Sequence, residues 1–373
     1  MLTVLMYISL TLTVIGLLAG ALMLWRIPAI PPGHIEKQMP AVSLIIPARN
    51  EAVRIPPLLE SITKQEGVRF ELIVIDDEST DDTARIAREY GAFVFNSSEI
   101  EGSWKGKSAA CWQGAQKAGF PLLLFLDADT QFVHANSLRD LVQEYVIKGS
   151  RGILSLQPYH VMKKGYEQLS AVFNMIVFAG MNTFTPFQSK LKSAGSFGPC
   201  ILTNREDYFS AGGHKEVGDA VMDDLVLGEL YMSSGYPVRC VSGKGTILFR
   251  MYPEGMRTLV DGWSKSFATA SKSTHPLVIT LISIWIAGAF VSAALWASSL
   301  FLISSAWIII STVLYVLYTM LLYWHARRIG SFHWLAILCY PLLFIFFTCI
   351  YIRSFYLTNI KHAVEWRGRK IRV

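Results

Sequence analysis

Two stretches of this sequence put acids where packing has no use for them. Leu122-Leu-Leu-Phe-Leu-Asp-Ala-Asp-Thr-Gln131 runs from a hydrocarbon-rich strand directly into Asp127 and Asp129. Side chains two apart at a strand end project on the same side, so these carboxylates address one point. Phe70-Glu-Leu-Ile-Val-Ile75 likewise ends on Asp76 and Asp77. Carboxylates spaced in this way grip a hard divalent cation, which completes its oxygen shell from substrate phosphates and water. Solvated turns also carry Asp, but a second acidic strand end in one chain makes a site the better explanation.

The elements that must position these acids alternate. Val42-Ser-Leu-Ile-Ile46 reads as a strand stopped by Pro47, and a helical stretch follows to about Glu66. After the second strand, Ser79-Thr-Asp-Asp82 supplies capping residues for a helix over 83–90, which Gly91 stops. A short strand over 92–95, a helix over 108–118 and a fourth strand over 121–126 complete the pattern. Alternation of this kind predicts an α/β fold with a mostly parallel, doubly wound sheet, whose ligands bind beyond the carboxyl ends of the strands. Arg49, Asn50 and Glu51, then Asp76 and Asp77, then Asp127 and Asp129 all fall at those ends. From 151 to 250 the pattern loosens into strands and loops containing Gly195, Gly198, Gly212 and Gly213.

The rest of the chain belongs to a bilayer. Its 373 residues are 52% apolar with a mean hydropathy of +0.37, above what soluble domains carry. Residues 1–25 hold no charge and exceed the length that spans a ~30 Å hydrocarbon core. They lack the basic start of a signal peptide, so a retained anchor is expected. Arg26, His34 and Lys37 follow, which predicts a cytoplasmic middle region. Residues 276–324 contain no Asp, Glu, Lys or Arg and suit two helices with a tight turn near Ala297, Ser298 and Ser299. A further uncharged run over 334–352 suits a third, with Arg327 and Arg328 inside. The basic tail of Lys361, Arg367, Arg369, Lys370 and Arg372 would then end outside, unless Pro341 makes the last segment re-entrant. Just before these segments, residues 254–272 form an amphipathic pattern with Met256, Leu259, Val260, Trp263 and Phe267 on one face, suited to the interface plane.

Other classes find less support. A net charge of +6 without an aromatic–basic module argues against nucleic acid and for lipid- and nucleotide-facing loops. Cys111, Cys200, Cys240, Cys339 and Cys349 show no CxxC spacing, so neither a zinc site nor a disulfide framework is expected. The membrane segments lack the charges that mark an ion path.

Five motifs in order, Ile45-Ile-Pro-Ala-Arg-Asn-Glu51, Val74-Ile-Asp-Asp-Glu-Ser-Thr-Asp81, Gly102-Ser-Trp-Lys-Gly-Lys107, Leu126-Asp-Ala-Asp129 and Met222-Asp-Asp-Leu225, resemble membrane-bound family 2 glycosyltransferases of the GT-A fold. Within that family the layout is most similar to bacterial members that glucosylate carotenoid acids, through Phe249-Arg-Met-Tyr-Pro-Glu-Gly255 and Glu365-Trp-Arg-Gly-Arg369 as well. The resemblance implies an anchor at 1–25, a catalytic domain at 40–250, an interfacial helix at 254–272, membrane segments at 276–358 and a basic tail at 359–373. It implies that Pro47, Ala48, Arg49, Glu51, Asp76, Asp77, Lys107, Asp127 and Ala128 bind a nucleotide sugar. Asp76 or Asp77 would read the base; Glu78 replaces the Gly usual after this pair. Asp127 and Asp129 would hold Mg2+ or Mn2+, and Asp224, with Asp223 beside it, would be the catalytic base. His214 and Trp263 would face the acceptor, although a lone histidine is more often structural and Trp263 suits a lipid anchor better. A processive Gln-x-x-Arg-Trp segment is missing at Val260-Asp-Gly-Trp-Ser-Lys265, which implies a single transfer.

The expected activity is therefore inverting transfer of one hexose, glucose from UDP-glucose, to a lipid acceptor at the cell membrane. A carotenoid carboxylate is the leading acceptor, with hopanoid, sphingoid or glycerolipid acceptors as alternatives. A membrane phosphatase with Asp127 as nucleophile is the rival from another class, since an apolar strand followed by Asp-x-Asp also resembles haloacid-dehalogenase-type phosphatases. Such a nucleophile sits on the opening strand of its domain, whereas here a βαβα unit precedes it.

Overall fold

The computed structural model describes residues 2–33, 39–97, 104–218, 220, 222–270, 273–301, 304–357, 363–366 and 369–372. Gly102, Ser103, His34, Lys37, Lys361 and Arg367, and the side chains of Phe267, Arg369, Lys370 and Arg372, lie outside the described set. The chain divides into two units, one of 28–160 with 193–251 and the other of 1–27, 161–192 and 252–373.

The first unit is built on strands β1 (Val42–Ala48), β2 (Phe70–Asp76), β3 (Phe93–Asn96), β4 (Leu122–Leu126), β5 (Thr130–Phe132), β6 (Ile153–Gln157), β7 (Tyr159–His160), β8 (Cys200–Asn204), β9 (Val238–Ser242) and β10 (Ile247–Phe249). Seven of them form one sheet in the order β3-β2-β1-β4-β8-β6-β9, and β5-β10-β7 form a smaller one. Neighbours in the large sheet are parallel except around β8, which runs antiparallel to both β4 and β6. The predicted α/β sheet is thus present, and the loosely patterned region after 151 extends it with β6, β8 and β9.

Alternation along the strands divides the apolar side chains between two cores. Val42, Leu44, Ile46, Val74 and Leu124 face one, where Leu58, Leu59 and Leu141 cover them. Ile45, Ile73, Ile75, Leu123 and Phe125 face the other, against Ala110, Cys111, Tyr208 and Tyr231. Burying each such side chain is worth about 1.5–3 kcal/mol, which fixes the register of the strand ends that carry the acids. The helix Lys107–Lys117 lies so close to the sheet that a Cβ on Gly114 would come 2.4 Å from Ile45 Cγ2.

One local expectation needs correction, and one is met through a particular residue. Pro47 does not stop β1, which continues to Ala48. The ladder between β1 and β4 ends at Ile45, so Pro47 has no partner on that side, where a residue without an N–H is tolerated. The helix Thr83–Glu89 is capped through Asp81, whose Oδ1 accepts from the Thr83 N–H at 3.0 Å, while Asp82 makes no side-chain cap bond.

Among the described residues, the second unit contains four helices long and apolar enough to cross a bilayer: Thr3–Met23, Pro276–Ser299, Ser305–Ile329 and Tyr340–Leu357. The first two meet through small residues. A Cβ on Gly16 would come 2.7 Å from Gly288 Cα, and one on Gly20 would come 2.5 Å from Trp285 Cδ1. Without apolar–aqueous contrast inside lipid, such close backbone packing is what associates helices. The expected turn lies later than the sequence pattern placed it, because the helix runs through Ser299. Around the last segment, a short helix Trp334–Leu338 precedes Tyr340–Tyr356, and Pro341 sits in the first turn of the latter, where its missing N–H is harmless.

In the amphipathic helix Met256–Ala270, Leu259 and Trp263 are buried and Met256 is exposed. The Trp263 ring stacks on Phe173 at 4.8 Å, and its N–H donates to Ser170 Oγ at 3.1 Å. This corrects the expectation of a lipid anchor: the indole is packed inside the unit.

Replacing Gly288 by Val puts a branched side chain against Gly16. The overpacking is expected to cost about 1–3 kcal/mol and to lower the melting midpoint in detergent, with Gly288→Ala affected less. An unchanged midpoint for Gly288→Val would remove Gly288 from the helix contact.

Candidate active site

The loops after β1 and β2 are sewn together by the polar residues that the sequence places there. Asn50 Oδ1 accepts from the Thr80 N–H at 2.8 Å, and the Asn50 N–H donates to Ser79 Oγ at 3.0 Å. The Glu51 N–H donates to Thr83 Oγ1 at 2.8 Å, and the Ala52 N–H to Asp81 Oδ2 at 3.1 Å. Asn50 and Glu78 adopt positive φ, 52° and 58°. The second value is left-handed, a conformation that Gly adopts without cost and a glutamate does not. Glu78 stays there in ion pairs with Arg49, at 3.8 Å, and with Lys105.

The two acids of this pair have different surroundings, although both are buried. Asp77 Oδ1 accepts from Ser97 Oγ at 2.9 Å, and Arg49 Nη1 lies 3.6 Å from its Oδ2. Arg49 also donates to the Asp77 carbonyl at 2.8 Å. Asp76 Oδ1, by contrast, is buried with no hydrogen-bond partner among the described residues. A buried acceptor left open is costly unless a ligand completes it.

Further along the sheet, a small cleft is lined by Lys107, Asp127, Gly198, His214, Asp223 and Asp224, among others. Pro47 also borders it, whereas the side chains of Ala48 and Ala128 are committed to the apolar core. Asp127 leaves β4 in a tight turn, with its carbonyl accepting from the Thr130 N–H at 3.1 Å and from Thr130 Oγ1 at 2.8 Å. Asp223 and Asp224 open the helix Asp223–Ser233, whose first turn favours negative charge. Glycine makes the approach possible: a Cβ on Gly198 would lie 2.8 Å from Asp224 Oδ2, and one on Gly195 would lie 2.5 Å from Leu225 Cα.

Charge dominates this cleft. Lys107 Nζ pairs with Asp127 Oδ1 at 2.7 Å. Burial opposes the ammonium, but Asp127 and Asp223 outweigh it and raise its pKa well above the usual lysine range. Burial, and then Asp223, push the Asp224 carboxyl up to about 7, with Lys107 acting against them. Asp129 is raised by burial and then by Asp127 and Glu51, against Arg54 and Lys107. His214 is pushed down to about 4 by burial, with Lys107 adding to the effect and Asp223 opposing it.

The donor set suits a hard divalent cation. Asp127 and Asp129 offer carboxylate oxygens only, and a cation would relieve the negative charge that, after burial, raises Asp129. Among the described residues no group of three or more His, Cys, Asp and Glu side chains could hold a metal ion by itself. A cation here would therefore draw the rest of its shell from a ligand's oxygens and water.

The structure thus brings Lys107, Asp127, His214, Asp223 and Asp224 into one cleft. Asp76, Asp77, Arg49 and Glu51 sit in the sewn loops of the same unit, with Asp129 beside Asp127. Trp263 belongs to the other unit. Sequence reasoning missed Tyr208, whose hydroxyl lies 2.9 Å from His214 Nδ1, and the role of Gly198. The Gly-Gly-His run at 212–214 was the available signal.

Comparison with known proteins agrees with this geometry. The sequence pattern described as Glycosyl transferase family 2 matches residues 43–209. The 4,4'-diaponeurosporenoate glycosyltransferase of Staphylococcus aureus strain USA300 is 39% identical over 368 residues, covering 98% of both chains. The protein of the same description from strain MRSA252 is 38% identical over the same length. Among solved structures, a mannosyltransferase from Pyrobaculum calidifontis in complex with GDP-Man and Mn2+ shares the fold, with a TM-score of 0.53 over 94% of this chain and 99% of that one, at 17% identity. With an end-to-end relative at this identity and the acids of the GT-A sheet in place, the chain belongs to glycosyltransferase family 2.

Proposed function

We propose that this enzyme moves one glucose from UDP-glucose to the carboxylate of a carotenoid acid, inverting the anomeric centre, with its catalytic unit on the cytoplasmic side of the membrane. The observation that carries the reading is the convergence of Lys107, Asp127, Asp223 and Asp224 in a chain matched end to end by carotenoid-acid glycosyltransferases. Four apolar helices, and Arg26 directly after the first, fit membrane residence with that orientation.

Each residue has work that its surroundings favour. Asp76 accepts the uracil N–H on its open Oδ1, because a carboxylate is an acceptor only. Asp77, tied to Ser97 and Arg49, holds the turn. Pro47, Ala48, Arg49, Glu51 and Ala128 shape the nucleotide-sugar site around them, and Lys107 offsets phosphate charge. Asp127 and Asp129 would hold Mg2+ or Mn2+, which when bound neutralises the diphosphate as a leaving group. The acceptor carboxylate oxygen forms the new bond to the anomeric carbon as the bond to the diphosphate oxygen breaks and UDP departs. A carboxylic acid is already ionised at neutral pH, so little is asked of a base. Asp224 faces this acceptor side, with Asp223 next to it and His214 lining the same cleft.

The direct test is mass spectrometry of lipid extracts from cells that make the carotenoid acid, with and without the chain. A hexosyl ester is expected only with it; hexosylation of a hopanoid, sphingoid or glycerolipid instead would overturn the acceptor.

Three variants probe the roles. With the carotenoid acid, Asp129→Ala is expected to lose about a thousandfold in kcat/KM and Asp224→Ala only about tenfold. With a hydroxyl analogue of the acceptor, Asp224→Ala should lose about 10²–10⁴-fold. The wild-type rate on that analogue should fall below pH 7, because the raised carboxyl of Asp224 is ionised, and able to accept a proton, only above it. Equal and total losses on the carotenoid acid would count against a carboxylate acceptor. Asp76→Ala is expected to weaken UDP about tenfold by calorimetry; unchanged affinity would move base recognition elsewhere.

A further inference from the structure

The helix Asp223–Ser233 is held at its start by a segment that precedes it by a full turn of the sheet. Ser196 is wholly buried, and its Oγ donates to the Asp224 carbonyl at 2.7 Å. The Ser196 N–H donates to the same oxygen at 3.4 Å. Two donors from one residue on a carbonyl of the first helical turn fix where that turn lies, and with it the root of the Asp224 side chain.

Glycine lets the two backbones meet. A Cβ on Gly228, four residues along the helix from Asp224, would lie 2.4 Å from the Ser196 nitrogen. One on Gly195 would lie 2.5 Å from the Leu225 carbonyl oxygen, so no side chain separates the segment from the helix. The other side of the segment is bound to the sheet. Ser155 Oγ of β6 accepts from the Phe197 N–H at 2.6 Å and donates to the Phe197 carbonyl at 3.0 Å. The Gly195 carbonyl accepts from Ser193 Oγ at 2.9 Å and from Cys240 Sγ of β9 at 3.6 Å. Ser196 is therefore the polar link between a segment fixed on the sheet and the helix that carries Asp224. The carboxylate is set by the same contacts: Oδ1 accepts from the Leu225 N–H at 3.0 Å, and Oδ2 lies over Gly198.

We propose that Ser196 is a positioning residue: by holding the Asp224 carbonyl to the sheet, it keeps the carboxylate where an acceptor's proton can be taken. This rests on the reading of Asp224 as the base. With a hydroxyl acceptor, the oxygen bonds to the anomeric carbon, its proton passes to Asp224, and UDP leaves with the electrons of the broken bond. Misplacing a reacting group by about 1 Å can cost about a hundredfold in rate. A carboxylate acceptor has no proton to give, so the same displacement matters less.

The test uses the full chain in lipid nanodiscs, with UDP-glucose, Mn2+ and either the carotenoid acid or its hydroxyl analogue. Ser196→Ala removes one oxygen atom and adds no bulk. It is expected to lose about thirtyfold in kcat with the hydroxyl analogue and at most about threefold with the acid, with the affinity for UDP within about twofold of wild type. In the Asp224→Ala background the same substitution should cost no more than about twofold, because a group that acts through Asp224 then has nothing to act on. Hydrogen exchange over residues 225–228 should be about tenfold faster in Ser196→Ala than in wild type. Equal losses with the two acceptors, equal losses in the two backgrounds, loss of UDP binding in step with turnover, or exchange at the wild-type rate would each overturn the proposal. Full activity of Asp224→Ala on the hydroxyl analogue refutes the base reading and the proposal with it. Full activity of Ser196→Ala beside an impaired Asp224→Ala refutes the proposal alone.

Discussion

Negative charge gathered at the carboxyl edge of the sheet is the constraint on which the catalytic unit is built. Asp127 and Asp129 leave β4, Asp223 and Asp224 open a helix, and Lys107 sits among them in an ion pair with Asp127. Carboxylates gathered there are partly withdrawn from water and repel one another; burial first, and that repulsion second, raise Asp129 and Asp224. Local structure offsets part of it, through the helix start at Asp223 and the Asp127 turn held by Thr130. The remainder is a standing demand for cations, which in the proposed reaction a metal-bound nucleotide diphosphate would meet.

Everything beneath this edge serves to hold it still. Two apolar faces lock the register of β1, β2 and β4, so their ends arrive together. Glycines at 195, 198 and 213 let backbone or ring approach where a Cβ would collide. The nucleotide loops are fixed by bonds among their own polar side chains, and this leaves Asp76 Oδ1 as the open acceptor. The membrane unit follows other rules, with glycine contacts and buried aromatic rings doing the work that apolar burial does in water.

The strands and their acids were legible because a buried parallel strand has to be an apolar run and its polar end stands out against it. The replacement of Gly by Glu78 was visible too, but not that the turn would keep φ at 58° with Arg49 and Lys105 paired to that side chain. Pro47 was misread as a stop because the sequence does not show where the β4 ladder ends. The Gly16–Gly20 contact face was hidden in an uncharged run that length alone had explained. Trp263 looked like an anchor because amphipathic periodicity cannot tell lipid from a neighbouring Phe173. Tyr208 was signalled only indirectly, by the Gly-Gly-His run after it, since its pairing with His214 exists only once Gly212 and Gly213 have turned the chain.

What the acids at 127 and 129 hold decides how the site works. Calorimetry of UDP-glucose binding to the full chain, with Mn2+ or Mg2+ and then with EDTA, measures this directly. The acidic edge predicts affinity at least about a hundredfold weaker in EDTA, and the same loss in Asp129→Ala with metal present. Binding of equal strength in EDTA would show that the carboxylates do not hold a metal for the diphosphate, and would contradict it.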